Sequence, residues 1–151
     1  MSQLTLVHEF TVAAPPGEVG AHLCDPELYV GLNPYVVAVR DIRESDGVTE
    51  FTAVERLRLA GPLRMDNPIA VRLWPEETGE GARVVFDIRS RGGVQVHIVT
   101  GLVAAGPGTA VTDTLTVRVP ALLRRTVRTT ARAGQLSRAA ELANRLSRPA
   151  A

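Results

Sequence analysis

Two acidic residues interrupt rows of apolar side chains in predicted β-strands, and they are the strongest candidates for chemistry in this sequence. Glu55 lies in the alternate row of VTEFTAVERLRL that otherwise contains Phe, Ala and Leu, and Asp113 lies among Val and Leu in TAVTDTLTVRVP. A carboxylate among apolar neighbours loses solvation, so its pKa rises unless a cation or hydrogen-bond donor compensates. Each residue is therefore predicted to be either paired structurally or available for proton transfer and ligand contact.

A further polar residue is expected near these carboxylates on the predicted strand LRMDNPIAVRLW, whose alternation is ambiguous at Pro68. Unbroken alternation turns Asn67 inward as a pocket amide. Proline cannot donate a ladder hydrogen bond and often marks a bulge, which would instead turn Arg72 and Trp74 inward. Both arrangements remain open from the sequence, and Arg72 is kept as a candidate for ligand contact.

One long helix is predicted over about residues 120–147, beginning at Pro120. Proline suits the first turn, and Leu, Ala, Arg and Gln favour helix thereafter. Apolar and small residues recur at helical spacing on two adjoining faces, one with Leu123, Val127, Thr130 and Gly134, the other with Leu136, Ala140, Ala143 and Leu146. Between residues 131 and 139 only Leu136 has a large apolar side chain. The small centre indicates either close packing on a sheet or a ligand cavity.

The remaining chain predicts an α+β architecture in one domain over residues 1–151. A first strand over Gln3–Ala13 is followed by two short helices, Gly17–Leu23 and Asp25 to about Leu32. Six more strands follow, separated by tight turns, so antiparallel pairing is the simplest connection. The expected fold is a seven-stranded antiparallel sheet curled around the C-terminal helix.

The composition and the absence of several motifs argue against a number of functional classes. No spacing of His, Cys and carboxylates is typical of a metal site, and no phosphate-binding glycine loop, dinucleotide fingerprint or nucleophile-elbow serine occurs. Aromatic residues are 4% of the chain and none lies among the C-terminal arginines, which disfavours nucleic-acid binding. The N-terminus lacks a secretory signal pattern and no apolar run is long enough to span a membrane, so the expected location is the cytoplasm. Cys24 is the sole cysteine and is interpreted as a packing residue.

The charges are unevenly distributed along the chain. All seventeen basic residues are arginine, and the stretch Pro120–Arg148 contains seven of them against Glu141, a net charge of +6. The preceding 119 residues hold ten arginines against fifteen acids, a net charge of −5. The basic helix could attract phosphates, an acidic carrier protein or anionic lipid, or it is simply solvated and paired with the acidic body.

The order of predicted elements resembles the helix-grip fold of the START/SRPBCC superfamily over nearly the whole chain. Three stretches carry the resemblance to its polyketide cyclase/dehydrase branch: FTVAAPPGEVGAHLCDPELYVGLNP, FTAVERLRLAGPLR and GTAVTDTLTVRVPALLRR. The resemblance implies a deep, mostly apolar cavity between sheet and helix, with Tyr29, Asn33 and Tyr35 at its mouth. It also implies that any chemistry proceeds without metal or cofactor. The sequence contains only one Trp, two Tyr and three Phe, which gives few surfaces for stacking an aromatic ligand.

Together, the resemblance and the strand alternation predict a set of cavity residues. Glu55 and Asp113 are the candidate catalytic groups. Further candidates for ligand contact are Phe51, Leu57, Asn67, Val71, Arg72, Phe86, Ile98, Thr100, Leu115, Val127 and Gly134.

Two functional hypotheses follow from the resemblance. The protein is a non-catalytic carrier or sensor of a hydrophobic, polyketide- or lipid-like small molecule, or it is a cofactor-independent cyclase or dehydratase that uses pocket carboxylates. An acidic carrier protein at the arginine-rich helix is a third, weaker hypothesis, and a homodimer is left open.

Overall fold

The computed structural model describes residues 1–58, 62–90 and 92–147. Its elements in chain order are β1 (Ser2–Val12), α1 (Pro16–Leu23), a 3₁₀ helix (Pro26–Tyr29), β2 (Val36–Ser45), β3 (Val48–Arg58), β4 (Arg64–Glu77), β5 (Ala82–Arg89), β6 (Gln95–Ala105), β7 (Gly108–Val119), a second 3₁₀ helix (Ala121–Leu123) and α2 (Arg124–Leu146). The strands form one antiparallel sheet in the order β1-β7-β6-β5-β4-β3-β2. The prediction of a seven-stranded antiparallel sheet with a long C-terminal helix is confirmed. Leu59 and Arg148, at the ends of a predicted strand and of the predicted helix, lie outside the described residues.

The hairpin between β2 and β3 shows how local sequence fixes the strand pairing. Asp46 and Gly47 both have positive φ, 53° and 79°, as a type I′ turn requires. Such a turn has the right-handed twist of the strands it joins, and glycine adopts positive φ without a steric penalty.

β4 passes through Pro68 without a change of register. Pro68 lies opposite Val54 in an unbroken β3–β4 ladder, so the alternation on both sides of it is continuous. Arg72 consequently lies on the outer face of the sheet, where its Nε atom is 3.1 Å from the Glu50 carboxylate. Trp74 is also on that face and donates a hydrogen bond to Glu76. The prediction of Arg72 as a cavity residue is therefore wrong.

The segment between β1 and β2 contains one α-helix and one shorter helix. α1 begins at Pro16 and buries Val19 and Leu23. The second helix is a single 3₁₀ helix that ends at Tyr29, whereas the sequence predicted it to continue to about Leu32. Asp25 caps it by accepting a hydrogen bond from the Glu27 amide at 3.0 Å, and the backbone becomes extended at the next residue after Tyr29.

α2 lies along β1, which is one edge of the sheet. Arg124 donates to the carbonyl of Gln3 at 2.7 Å, and Arg132 donates to the carbonyl of Val7 at 3.1 Å. Such contacts occupy backbone acceptors of an edge strand, which would otherwise offer a template for pairing with another chain. Two of the arginines of the basic helix therefore bind the protein itself.

The buried face of α2 differs from the predicted faces. Gln135, Arg138, Ala139 and Leu142 are the buried residues, whereas Leu136 is 44% exposed. Leu123, Thr130 and Ala140 are also exposed. The predicted faces are wrong at these four positions. Two polar residues, Gln135 and Arg138, occupy buried positions that an apolar pattern does not identify. In the part of the chain that the structure describes, neither α1 nor α2 combines the length and apolar composition that a membrane-spanning helix needs.

The concave face of the sheet is closed at one end and open at the other. Inward-facing Val84 and Leu102 are fully buried at the end covered by α1. Toward the other end of the same strands, Ile88 and Val96 are only half-buried, although they share the inward parity. The contacts of α2 with the sheet are chiefly with β1 and, fewer, with β7, rather than with β5 and β6.

Candidate functional site

Asp113 is the centre of a buried polar cluster beneath α2. It faces inward from β7 and is 1% exposed. Thr100, directly opposite on β6, donates its hydroxyl proton to the carboxylate at 2.9 Å. The Nη1 atom of Arg138 on α2 donates to both carboxylate oxygens, each at 3.2 Å. Asp113 therefore has the cationic partner that a buried carboxylate needs.

Arg138 is the residue that joins this cluster to the aromatic part of the core. It is 8% exposed, and its guanidinium carbon lies 5.0 Å from the centre of the Phe86 ring, within the range of a cation–π contact. Tyr29 packs against Phe86 and Phe51, with ring centres 6.1 and 5.7 Å apart. Burial lowers the pKa of Arg138, but the attraction of Asp113 and Tyr29 and the hydrogen bonds to Asp113 raise it above the ordinary value, so the guanidinium is charged.

The second terminal nitrogen of Arg138 is buried without a partner. No described residue accepts a hydrogen bond from Nη2 in suitable geometry. The Tyr29 hydroxyl lies close enough to the guanidinium to affect its pKa, but the phenol proton goes to the Leu23 carbonyl at 2.6 Å, and the phenol oxygen does not meet the geometry of a hydrogen bond from Nη2. Burial raises the pKa of Tyr29 against the opposing effect of Arg138, so the phenol stays neutral. The cluster thus contains an unused donor inside the protein.

Gln135 fixes the position of α2 next to this cluster. Its side-chain amide donates to the carbonyls of Leu6 and Asp113, both at 3.1 Å, and its oxygen accepts from Arg132 at 2.7 Å. Because β1 and β7 are neighbours, the amide connects both strands to the helix one turn before Arg138. The guanidinium is therefore held on a rigid part of the fold.

Glu55 is the second carboxylate of the concave face, and it lies at the open end. It is half-buried on β3, directly opposite Asn67 on β4. Burial raises the pKa of Glu55, and hydrogen bonding from Asn67 partly opposes this shift. A carboxyl group with a raised pKa and remaining access to solvent is suited to accept and return a proton.

Two further residues bring the edge of the mouth close to α2. Asn33 accepts a hydrogen bond from the backbone amide of Tyr35 at 2.9 Å, which fixes the turn into β2. The Tyr35 ring packs over Gly134, where an added Cβ atom would lie 3.5 Å from the ring. The small residue on the helix therefore accommodates Tyr35 at this point, and both residues remain partly exposed.

The other predicted residues fall into two groups. Those buried on the inward face are Phe51, Val71, Phe86, Ile98, Thr100, Leu115 and, from the 3₁₀ helix, Tyr29. Those half-buried around the opening are Leu57, Asn67 and Val127. The structure therefore brings together a buried floor and a partly open rim, without Arg72.

Sequence reasoning did not identify Arg138 or Gln135 as residues of the cluster. Both were hidden in a helix whose arginines suggested a solvated surface. The one available signal was Asp113 itself, because a buried carboxylate requires a cation and the helix packed on it is rich in arginine.

The structure also has two depressions whose lining includes no residue of α2. One, of about 560 Å³, lies over the outward side of β5, β6 and β7 and includes Arg83, Gly101 and Thr112. The other, of about 130 Å³, lies at the open end of β5 and β6 and includes Ile88 and Val96 as well as Asp87 and His97, whose side chains are 2.6 Å apart. Their lining residues are exposed or half-buried, apart from the buried Leu102 in the larger one, and neither depression includes the polar cluster at Asp113. No group of His, Cys, Asp and Glu among the described residues is arranged to hold a metal ion.

Comparisons with known proteins identify the fold. No protein-family description matches the sequence, and no curated protein matches it. Among solved structures, the chain is similar to the ZhuI aromatase/cyclase from Streptomyces sp. R1128, with 16% identity, a TM-score of 0.68, and coverage of 93% of this chain and 94% of that one. It is also similar to a START superfamily protein from Mycobacterium smegmatis, with 14% identity, a TM-score of 0.66, and coverage of 94% and 96%.

A third similar structure is the di-domain aromatase/cyclase BexL from the BE-7585A biosynthetic pathway. The identity is 16% and the TM-score 0.72, over 99% of this chain and 51% of that one. At these identities the similarity establishes the fold alone. The chain has the helix-grip fold shared by START proteins and aromatase/cyclases, as its sequence resemblance predicted.

Proposed function

We propose that this protein binds a hydrophobic small molecule, polyketide- or lipid-like, between the concave face of the sheet and α2, as a carrier or sensor. The observation that carries the proposal is the unequal burial along β5 and β6. Ile88 and Val96 face inward but are only partly buried, whereas Val84 and Leu102 on the same strands are fully buried. Apolar side chains left open inside a curled sheet gain burial when an apolar ligand covers them.

The polar groups of the concave face support a ligand with a defined orientation. They are few, and they lie at two depths: Glu55 and Asn67 near the rim, and Arg138 with Asp113 below. A mostly apolar site with a few fixed polar groups is typical of small-molecule binding.

A pair of valine substitutions on β6 tests this proposal. Val96→Arg places a charged side chain at the inward opening, whereas Val99→Arg makes the same change at a half-buried position on the outer face. With the fluorescent hydrophobic probe 1-anilinonaphthalene-8-sulfonate, we expect Val96→Arg to weaken binding at least about tenfold. Val99→Arg should leave it within about twofold. Equal loss in both variants would place the probe elsewhere. Native mass spectrometry of protein purified from its own host would then identify any retained ligand.

A second candidate function is a cofactor-independent dehydratase or cyclase, and the raised pKa of Glu55 favours it. In this proposal the Glu55 carboxylate removes a proton from the carbon next to a ligand carbonyl. The resulting carboxylic acid returns that proton to the departing hydroxyl group, which leaves as water. Asp113, whose carboxylate is held by Thr100 and Arg138, positions Arg138 rather than exchanging protons with the ligand.

The dehydratase proposal predicts a separation of turnover from binding in Glu55→Gln. With a hydrophobic β-hydroxy ketone, whose dehydration to a conjugated enone is followed by absorbance, kcat should fall by about 10²–10⁴. The dissociation constant should change by less than about threefold. Parallel loss of both quantities would assign Glu55 to binding only.

The same opening is a proposed docking place for an acidic carrier protein. Arg125 and Arg128 are exposed on the N-terminal half of α2, and Leu122 just before the helix is 98% exposed. Arg125→Glu with Arg128→Glu should weaken binding of such a carrier at low salt, whereas the same charge change at Arg40 and Arg43 on β2 should not. If both double variants bind the acidic carrier equally well, the proposal of a carrier protein at α2 is rejected.

A further inference from the structure

We infer that Nη2 of Arg138 is a binding site for an uncharged oxygen of the ligand, such as that of a ketone or ester. This inference rests on the proposed function, because it assigns the part of the hydrophobic ligand that reaches the end of the site. It begins from the one side-chain nitrogen that is buried without a hydrogen-bond partner among the described residues. A buried donor left unpaired is unfavourable, so an acceptor at this position would stabilise the protein.

The geometry around Arg138 leaves Nη2 free while holding the rest of the group in place. Nη1 is occupied by both oxygens of Asp113, and the guanidinium plane is supported by Phe86. Gln135 fixes the preceding turn of α2 against β1 and β7. A preorganised donor costs little ordering when a ligand oxygen arrives.

The charge balance of the cluster determines whether a neutral or a charged ligand oxygen binds better at Nη2. Arg138 and Asp113 form a buried pair with zero net charge. A neutral carbonyl keeps that balance and supplies the missing acceptor. A carboxylate would add an uncompensated negative charge to a buried site, which is costly. The site is therefore expected to prefer a ketone or ester over both a hydrocarbon and a carboxylate.

Three naphthalene derivatives of nearly equal shape test this preference. They are 2-acetylnaphthalene, 2-isopropylnaphthalene and 2-naphthoate, with binding measured by calorimetry on the full chain. We expect the ketone to bind at least about tenfold more tightly than the isopropyl compound, as for one hydrogen bond from a charged donor. We also expect it to bind more tightly than the carboxylate.

Substitutions of Arg138 and Asp113 test whether the preference for the ketone depends on this ion pair. Arg138→Lys retains a cation for Asp113 but has only one terminal nitrogen, so the preference for the ketone should fall to about twofold or less. Asp113→Asn leaves the guanidinium unbalanced, so 2-naphthoate should become the tightest ligand. Circular dichroism verifies that each variant is folded, and either variant alone decides the matter if the other does not fold. Tyr29→Phe should leave the preference for the ketone unchanged.

Each alternative result has a distinct meaning. Equal binding of the ketone and the isopropyl compound would overturn the inference and leave the proposed function in place, with water as the partner of Nη2. Loss of the preference in Tyr29→Phe but not in Arg138→Lys would also overturn it, because the phenol would then be the donor. If none of the three compounds binds, the inference and the proposed function both fail.

Discussion

Replacing Arg138 with methionine should destabilise the protein far more than the loss of an exposed ion pair. Asp113 accepts hydrogen bonds from Arg138 and Thr100 among the described residues, and both members of the pair are almost fully buried. Arg138→Met leaves the carboxylate with the Thr100 hydroxyl alone. Breaking a buried pair in this way costs about 3–5 kcal/mol. With an unfolding slope of about 2 kcal/mol per molar urea, the midpoint should fall by about 1.5–2.5 M.

The double variant Arg138→Met with Asp113→Leu separates the cost of an unpaired charge from the value of the pair. With both charges removed, the buried site is apolar, and replacing a buried pair by apolar residues is often neutral or stabilising. We therefore expect the urea midpoint to return to within about 0.5 M of the wild type. Asp66→Asn is the surface control. It breaks the 2.8 Å contact with Arg56, where both side chains are about half-exposed, and it should give no resolvable change.

Urea unfolding followed by circular dichroism measures all three variants. The reasoning is refuted if Arg138→Met behaves like the surface control. It is also refuted if the double variant is no more stable than Arg138→Met alone, because the cost would then come from lost packing around the arginine chain rather than from an unpaired carboxylate.

Further predictions concern groups on either side of the cluster. Because burial raises the pKa of Glu55, the Glu55 carboxyl group stays protonated to a higher pH in the folded state than in the unfolded state. Stability should therefore decline as pH rises through the glutamate range, and Glu55→Gln should be more stable than wild type at pH 7 but not below a pH of about 4 in urea titrations. Burial, and then Arg145, lowers the pKa of His22, so Arg145→Met should move its NMR titration midpoint upward, and an unchanged midpoint would contradict this assignment. Gly134→Ala should raise the free energy of unfolding by about 0.5–1 kcal/mol, since the added methyl meets only an ordinary contact with Tyr35; a decrease would show that the ring cannot accommodate it.

The sheet could be predicted because its signals are local. Alternation of apolar and polar side chains assigns one face of each strand, so Glu55 and Asp113 were both expected on the concave face, where the structure has them. Pro68 was the ambiguous point. The sequence shows that this residue cannot donate to a ladder, but only the register with Val54 shows that the ladder continues past it.

The buried face of α2 could not be predicted because its signals are long-range. Gln135 is buried only because two carbonyls from β1 and β7 accept its protons, and Arg138 only because Asp113 lies opposite it. If only the apolar residues of the helix decided how it packs, Leu136 would lie on its buried face. Contacts between residues far apart in the chain decide instead that Leu136 is exposed.

The same long-range contacts determine the position of α2 along its own axis relative to the strands. A helix whose central residues are mostly Ala, Gly, Ser and Thr has few large side chains to interlock with the strands, so apolar packing alone specifies its position weakly. Directional hydrogen bonds supply the missing specificity: Arg124 to Gln3, Gln135 to β1 and β7, and Arg138 to Asp113. A slip by one turn, about 5.4 Å, would break all of them at once. The small residues that leave room beside the sheet therefore require polar anchors, and one of these anchors carries the unused donor that the ligand is proposed to bind.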